Sequence, residues 1–138
     1  MITLQQFLDY DYNSRSEHIK EIREYNKALI AKYPWLEIKD YNDFDPYNED
    51  KPNRYDWTWL DDMPEGWRIA FSEQMCDEIQ KELERVNFVD EYKIVQVKEK
   101  FGGLRWYTGG VPINSKLDDI ARKYEYLSEE ICVECGRP

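Results

Sequence analysis

The sequence predicts an α+β domain: three helices packed around a small antiparallel β-hairpin or sheet, with a long aromatic acidic loop between the first two helices. Three observations lead there. Apolar residues recur at steps of three and four in 14–33, 67–87 and 114–131, the period of helices with one buried face. The period drops to two in Ile94–Val97 and Leu104–Tyr107, as in strands flanking a turn. Between 40 and 66 neither period holds. At 138 residues the chain fits one domain, 1–138, with 40–66 as a loop inside it.

The first helix follows from Ile19, Ile22, Tyr25, Asn26, Leu29, Ile30 and Tyr33. Ser14 or Ser16 is its expected cap, and Glu17 stands three after Ser14 as in a capping box. Pro34 ends it, since proline lacks the N–H that a continuing helix needs. The loop carries turn signals at Asp45-Pro46, Lys51-Pro52-Asn53 and Met63-Pro64-Glu65-Gly66. Seven aromatics from Tyr41 to Trp67 argue for an ordered excursion pinned by its rings. If Tyr55–Leu60 is extended, Trp57 and Trp59 share a face. The second helix shows an apolar stripe of Phe71, Met75, Ile79, Leu83 and Val86. Gly102 and Gly103 are expected to supply the hairpin turn or a bulge beside it, with Glu99-Lys100 as the alternative place for the turn. The third helix uses Leu117, Ile120, Tyr124, Leu127 and Ile131, capped by Asn114 or Ser115. Two strands alone are marginal, so helices must cover one face, and a further strand from 36–60 would strengthen the sheet.

Charge is distributed unevenly. The first 39 residues hold six acids and six bases. From Asp40 to Glu65, nine carboxylates face only Lys51 and Arg54, which places seven of the chain's ten excess negative charges in that stretch. A negative field repels nucleic acid and anionic membranes and attracts basic protein surfaces. No apolar run approaches a membrane span, and no basic-then-apolar leader opens the chain, so a cytoplasmic protein is expected. Three cysteines do not form a secreted disulfide framework.

The segment Gln96-Val-Lys-Glu-Lys-Phe-Gly-Gly-Leu-Arg-Trp-Tyr107 is distinctive. So are Leu60-Asp-Asp-Met-Pro-Glu-Gly-Trp67, Tyr124-Glu-Tyr-Leu-Ser128 and Ile131-Cys-Val-Glu-Cys-Gly136. Together, over residues 55–136, they resemble a family of small uncharacterised proteins of bacteria and their phages. The resemblance implies a shared fold and no established activity. Members often continue past Cys-x-x-Cys-Gly to a second cysteine pair that completes a zinc site. This chain stops at Pro138, which points to a truncation or to loss of that site. A phage setting suggests an inhibitor of a host defence enzyme that presents a DNA-like charge pattern.

Several residue groups are candidate sites. Cys132 and Cys135 have the spacing of a zinc knuckle, for which Cys76 and His18, or a second copy in a homodimer, would supply further ligands; the competing reading is free thiols. His18, the sole histidine, lacks partners for nucleophilic catalysis. Asp9, Asp11, Asp61 and Asp62 would serve a carboxylate hydrolase or hold Mg²⁺, but acidic chains make such pairs by chance. Lys98, Lys100 and Arg105 form a small basic island. Asp43, Asp45, Glu49, Asp50, Asp56, Asp61 and Asp62, with Trp57 and Trp59, are expected to engage a partner: acids steer it and rings anchor it.

The leading expectation is a non-enzymatic inhibitor or adaptor that binds a basic protein surface, such as a nucleic-acid-binding enzyme, as a nucleic-acid mimic without touching nucleic acid or membrane. The alternative is a small zinc-associated structural module of a mobile-element protein. A carboxylate-dependent hydrolase comes third.

Overall fold

The chain, described by a computed structural model over residues 1–11, 13–39 and 53–138, divides into two units, Met1–Thr58 and Trp59–Pro138. It is an α+β fold, with several helices, one open antiparallel hairpin and a cluster of aromatic side chains.

The first unit begins with a helix the periodicity did not announce, α1 (Leu4–Asp9). Thr3 and Gln6 close a reciprocal capping box around its first turn. Phe7, its buried residue, stacks on Tyr25 of α2 (Ile19–Lys32) with ring centroids 4.8 Å apart. The stretch before α2 is a 3₁₀ turn, Arg15–His18. Ser14 makes no side-chain cap there; its N–H is taken by Asp11 Oδ1 at 2.7 Å, so the expected Ser14–Glu17 box does not form. Helix α2 ends at Lys32, and Pro34 opens a further 3₁₀ turn, Pro34–Leu36. Phe7, Ile22, Ile30, Tyr33, Trp35 and Leu36 are buried in this unit. The anticipated third strand is here reduced to one isolated antiparallel bridge, Glu37–Thr58.

In the second unit a 3₁₀ turn, Trp59–Asp62, leads into a helical run in three parts: α3 (Glu65–Trp67), a π turn (Arg68–Ser72) and α4 (Glu73–Arg85). Tyr55–Leu60 is therefore not an extended segment, and the shared face for its two tryptophans lapses with it. Phe71, Met75, Ile79 and Leu83 are buried, as the stripe requires. Ser72 donates its hydroxyl to the Arg68 carbonyl at 2.6 Å, one local bond that accompanies the widened turn.

Strands β1 (Ile94–Lys100) and β2 (Gly103–Thr108) pair antiparallel, Lys100 opposite Gly103 and Val97 opposite Trp106. The two turn residues are Phe101 and Gly102, at φ 54° and 81°. The turn thus lies one residue before the expected Gly-Gly pair. Ile94, Val97, Leu104 and Trp106 are buried, and Trp106 Nε1 donates to the Tyr92 hydroxyl at 3.0 Å. Helix α5 (Leu117–Ser128) packs on β2 and α4.

Neither Asn114 nor Ser115 caps α5. The buried carboxylate of Glu82, on α4, does related work from a distance. Its Oε2 accepts the Lys116 N–H at 2.6 Å, and both oxygens take Arg85 in a fork at 2.7 Å. Arg85 also donates to the Asn114 carbonyl at 3.0 Å. The negative charge sits at the positive end of α5. Arg85 above all, and then the Lys116 N–H, hold the Glu82 carboxyl down to about 2 against burial. A carboxyl depressed in the folded state stabilises above its unfolded value near 4.5 and loses that contribution as pH falls towards 2. Glu82→Gln should lower stability at pH 7 by about 1–3 kcal/mol. In urea melts across pH, the variant should lose less stability than the wild type between pH 4.5 and 2; an unchanged pH slope would remove Glu82 from this role.

Candidate functional site

Of the proposed partner-binding residues, Asp43, Asp45, Glu49 and Asp50 lie outside the described residues. Asp56 is buried. Its carboxylate accepts Arg23 Nε at 2.6 Å and the Asn53 N–H at 2.8 Å, and its carbonyl accepts Arg15 Nη2 at 2.8 Å. Asn26, fully buried on α2, donates to the Tyr55 carbonyl beside it at 2.8 Å. Asp56 is therefore a knot joining the 53–56 turn to α2 and to Arg15, with its charge answered by Arg23. Trp57 is 38% exposed, and the Arg15 guanidinium lies 4.1 Å from its ring centroid, a cation–π distance.

Asp61 pairs with Arg68 at 3.4 Å, and Arg68 is buried on the π turn. Asp62 is exposed; partial desolvation and the nearby Asp61 charge raise its carboxyl above the ordinary range. Trp59 is half-buried. Asp11 is tied to Ser14, and Asp9 accepts Gln5 Nε2. Among the described residues no three His, Cys, Asp or Glu gather as a metal centre. His18 stacks on Tyr10 with centroids 4.0 Å apart, and its Nδ1 is 3.7 Å from Glu21. Cys76 is buried on α4.

Cys132 and Cys135 are exposed and sit in a tight turn after α5. The Cys135 N–H points at Cys132 Sγ at 3.5 Å. Hydrogen bonds from the Cys135 and Glu134 amides pull the Cys132 thiol below its ordinary range, favouring thiolate. The turn is seated on the start of α3: the Gly66 N–H donates to the Val133 carbonyl at 2.8 Å, and Trp67 Nε1 to the Ile131 carbonyl at 2.9 Å. A Cβ at Gly66 would lie 2.2 Å from the Cys132 carbonyl oxygen, so no other residue fits this approach unaltered.

A second surface was not foreseen. Two shallow depressions of about 480 and 420 Å³ meet at Gln74 between the π turn with α4 and the C-terminal half of α5. Their apolar floor includes Ile69, Tyr126 and Leu127, which are 45, 70 and 38% exposed. Glu73, Asp77, Glu78 and Glu130 line them against Lys81 and Lys123. Glu78 accepts both Lys123 and the Tyr124 hydroxyl, which lowers its carboxyl despite burial. The available signal was Leu127, placed in the α5 stripe yet flanked by Tyr126 and an acid pair, Glu129-Glu130.

No family model, curated protein or solved structure matches this chain.

Two outcomes follow from this geometry. Asp56→Ala leaves Arg23 without its carboxylate and the Asn53 N–H without its acceptor. It should cost about 3 kcal/mol in denaturant unfolding, and a cost under about 0.5 kcal/mol would show the knot to be dispensable. Gly66→Ala should unseat the C-terminal turn, read as at least tenfold faster amide exchange at Cys132 and Gly136; unchanged protection would refute the close approach.

Proposed function

We propose that this chain is a non-enzymatic binding protein, an inhibitor or adaptor that engages a basic protein segment through acidic and aromatic residues. The observation that carries the reading is the pair of depressions that share Gln74, one lined by exposed Ile69 and the other by exposed Tyr126 and Leu127, with four carboxylates and two lysines between them. Apolar side chains left in water by a small domain mark a contact surface when they cluster. The surrounding acids favour a partner with Lys or Arg around an apolar anchor, and the net charge of −10 steers such a partner in. The π turn places Ile69 and Ala70 outward along this wall.

On this reading the described part of the interface lies on the π turn, α4 and α5, and the acidic run at 40–52 adds long-range attraction. The resemblance to phage proteins makes a host enzyme with a nucleic-acid-binding surface the natural target, with the acids mimicking phosphates, and places the encounter in the cytoplasm. Among the described residues no helix is long and apolar enough to cross a membrane.

The test uses the full chain and two synthetic helical peptides of equal positive charge, one with a leucine face and one with its leucines replaced by serine. The leucine peptide should bind and shift amide resonances of Ile69, Gln74, Tyr126 and Leu127. Tyr126→Ala with Leu127→Ala should weaken it about tenfold or more. Equal affinity for both peptides, with shifts scattered over the acidic surface, would reduce the effect to bulk charge and sink the proposal.

A further inference from the structure

We infer that the outer face of the hairpin is a second binding surface, which takes a short acidic peptide segment in extended form.

The face follows from the register. Val97 and Trp106 stand opposite one another and are buried, so their neighbours along each strand point the other way. That sets Lys98 opposite Arg105, Gln96 opposite Tyr107 and Lys100 opposite Gly103 on the outer face. Two cations directly across an antiparallel pair repel each other. Among the described residues, Lys98, Lys100 and Arg105 form no salt bridge. Nearby carboxylates are used elsewhere: Glu99 accepts the Gly102 N–H at 2.9 Å, and Glu125 accepts the Trp106 N–H at 3.1 Å. Glu129 reaches the Gly103 end of the face without pairing with Arg105. A chain with ten excess negative charges thus gathers cations on one strand pair and leaves their repulsion unanswered.

Aromatic rings mark the two ends. Lys98 Nζ lies 5.8 Å from the centroid of exposed Tyr107, and Lys100 Nζ lies 5.7 Å from that of exposed Phe101. The surface is therefore a cationic centre between two accessible rings. Charge complementarity calls for an anion, and spacing selects its form. Lys98 and Lys100 are two residues apart on one strand, about 6.6 Å along it. An extended peptide with Asp or Glu at alternate positions repeats at the same interval and turns its acids to one side. Apolar residues flanking those acids would meet Tyr107 and Phe101. Single-stranded nucleic acid also uses rings and cations, but it brings a charge with every nucleotide against the repulsion of a chain at −10. A segment with two or three carboxylates answers the cations and adds little beyond them. This surface is opposite in sign to the depressions that share Gln74 and does not rest on them.

The test uses the full chain and three labelled probes. One peptide carries Glu at alternate positions between leucines, a second has the same composition with its Glu residues contiguous, and the third is an oligothymidylate of equal charge. The alternating peptide should bind about tenfold or more tightly than the others. It should shift resonances of Lys98, Lys100, Arg105 and Tyr107. Lys98→Gln with Arg105→Gln should weaken it about tenfold or more. Because these changes remove a like-charge pair, the variant should unfold at the same or a higher urea concentration than the wild type, so lost binding is not lost folding. The same variant should still bind the basic leucine peptide, and Tyr126→Ala with Leu127→Ala should leave the acidic peptide's affinity unchanged, which separates failure of one surface from failure of the other. Equal affinity for contiguous acids, tighter binding of the oligonucleotide, no shifts at ~1 mM peptide, undiminished affinity in the glutamine variant, or its destabilisation would each overturn the proposal.

Discussion

A sheet of two strands has no interior, so each strand is an edge whose outward amides need partners from elsewhere. In the second unit, α5 supplies them for β2. The Leu104 N–H donates to Ser128 Oγ at 2.8 Å, and the Trp106 N–H to Glu125 Oε2 at 3.1 Å. Residues 125 and 128 are one helical turn apart, so the same face of α5 meets alternate residues of β2. The Glu82 carboxylate holds the other end of α5. With both ends of the helix assigned, its rotation is set: Tyr124 and Ser128 turn inward, and Tyr126 and Leu127 are left outward. The open surface beside Gln74 is thus a consequence of closing a sheet edge.

The hairpin register shows a contest between local and tertiary preference. Gly102-Gly103 invites a turn between the glycines, and phenylalanine is a poor residue for positive φ. A turn there would set Trp106 opposite Glu99. The observed register sets it opposite Val97, and both are buried. Burying two large apolar side chains together is worth a few kcal/mol, more than the ~1–2 kcal/mol for a left-handed phenylalanine. The outcome is a tip with Phe101 at 92% exposure.

The same logic separates what could be read in the sequence from what could not. The α4 stripe and the two strands were legible because their periods are tied to burial. Helix α1 was overlooked because six residues carry too little period, although Thr3-x-x-Gln6 was there to be read as a capping box. The caps of α5 were misassigned because its terminus is served by a carboxylate 34 residues upstream. At the candidate sites, Asp56 looked like one more surface acid. Only the fold reveals that Arg23, 33 residues away, has it paired.

That pairing alters the electrostatic reading of the whole chain. Counting charge along a segment assumes that each carboxylate's nearest counter-ion lies in that segment. Here Asp56 takes Arg23 from α2, and Asp61 takes Arg68 from the π turn. Both bases lie outside the 40–65 window that seemed to hold most of the excess. Each pair is neutral, so the total of −10 is unchanged, but the imbalance is transferred to the elements that gave up a base. The helical run from Glu65 to Arg85 is one of them. With Arg68 turned inward, the acids of α4 near Ile69 have Lys81 and Lys123 as the cations lining their depressions. Internal ion pairing in the second unit thereby leaves a negative rim around exposed apolar residues, and the proposed preference for a basic partner rests on this rim.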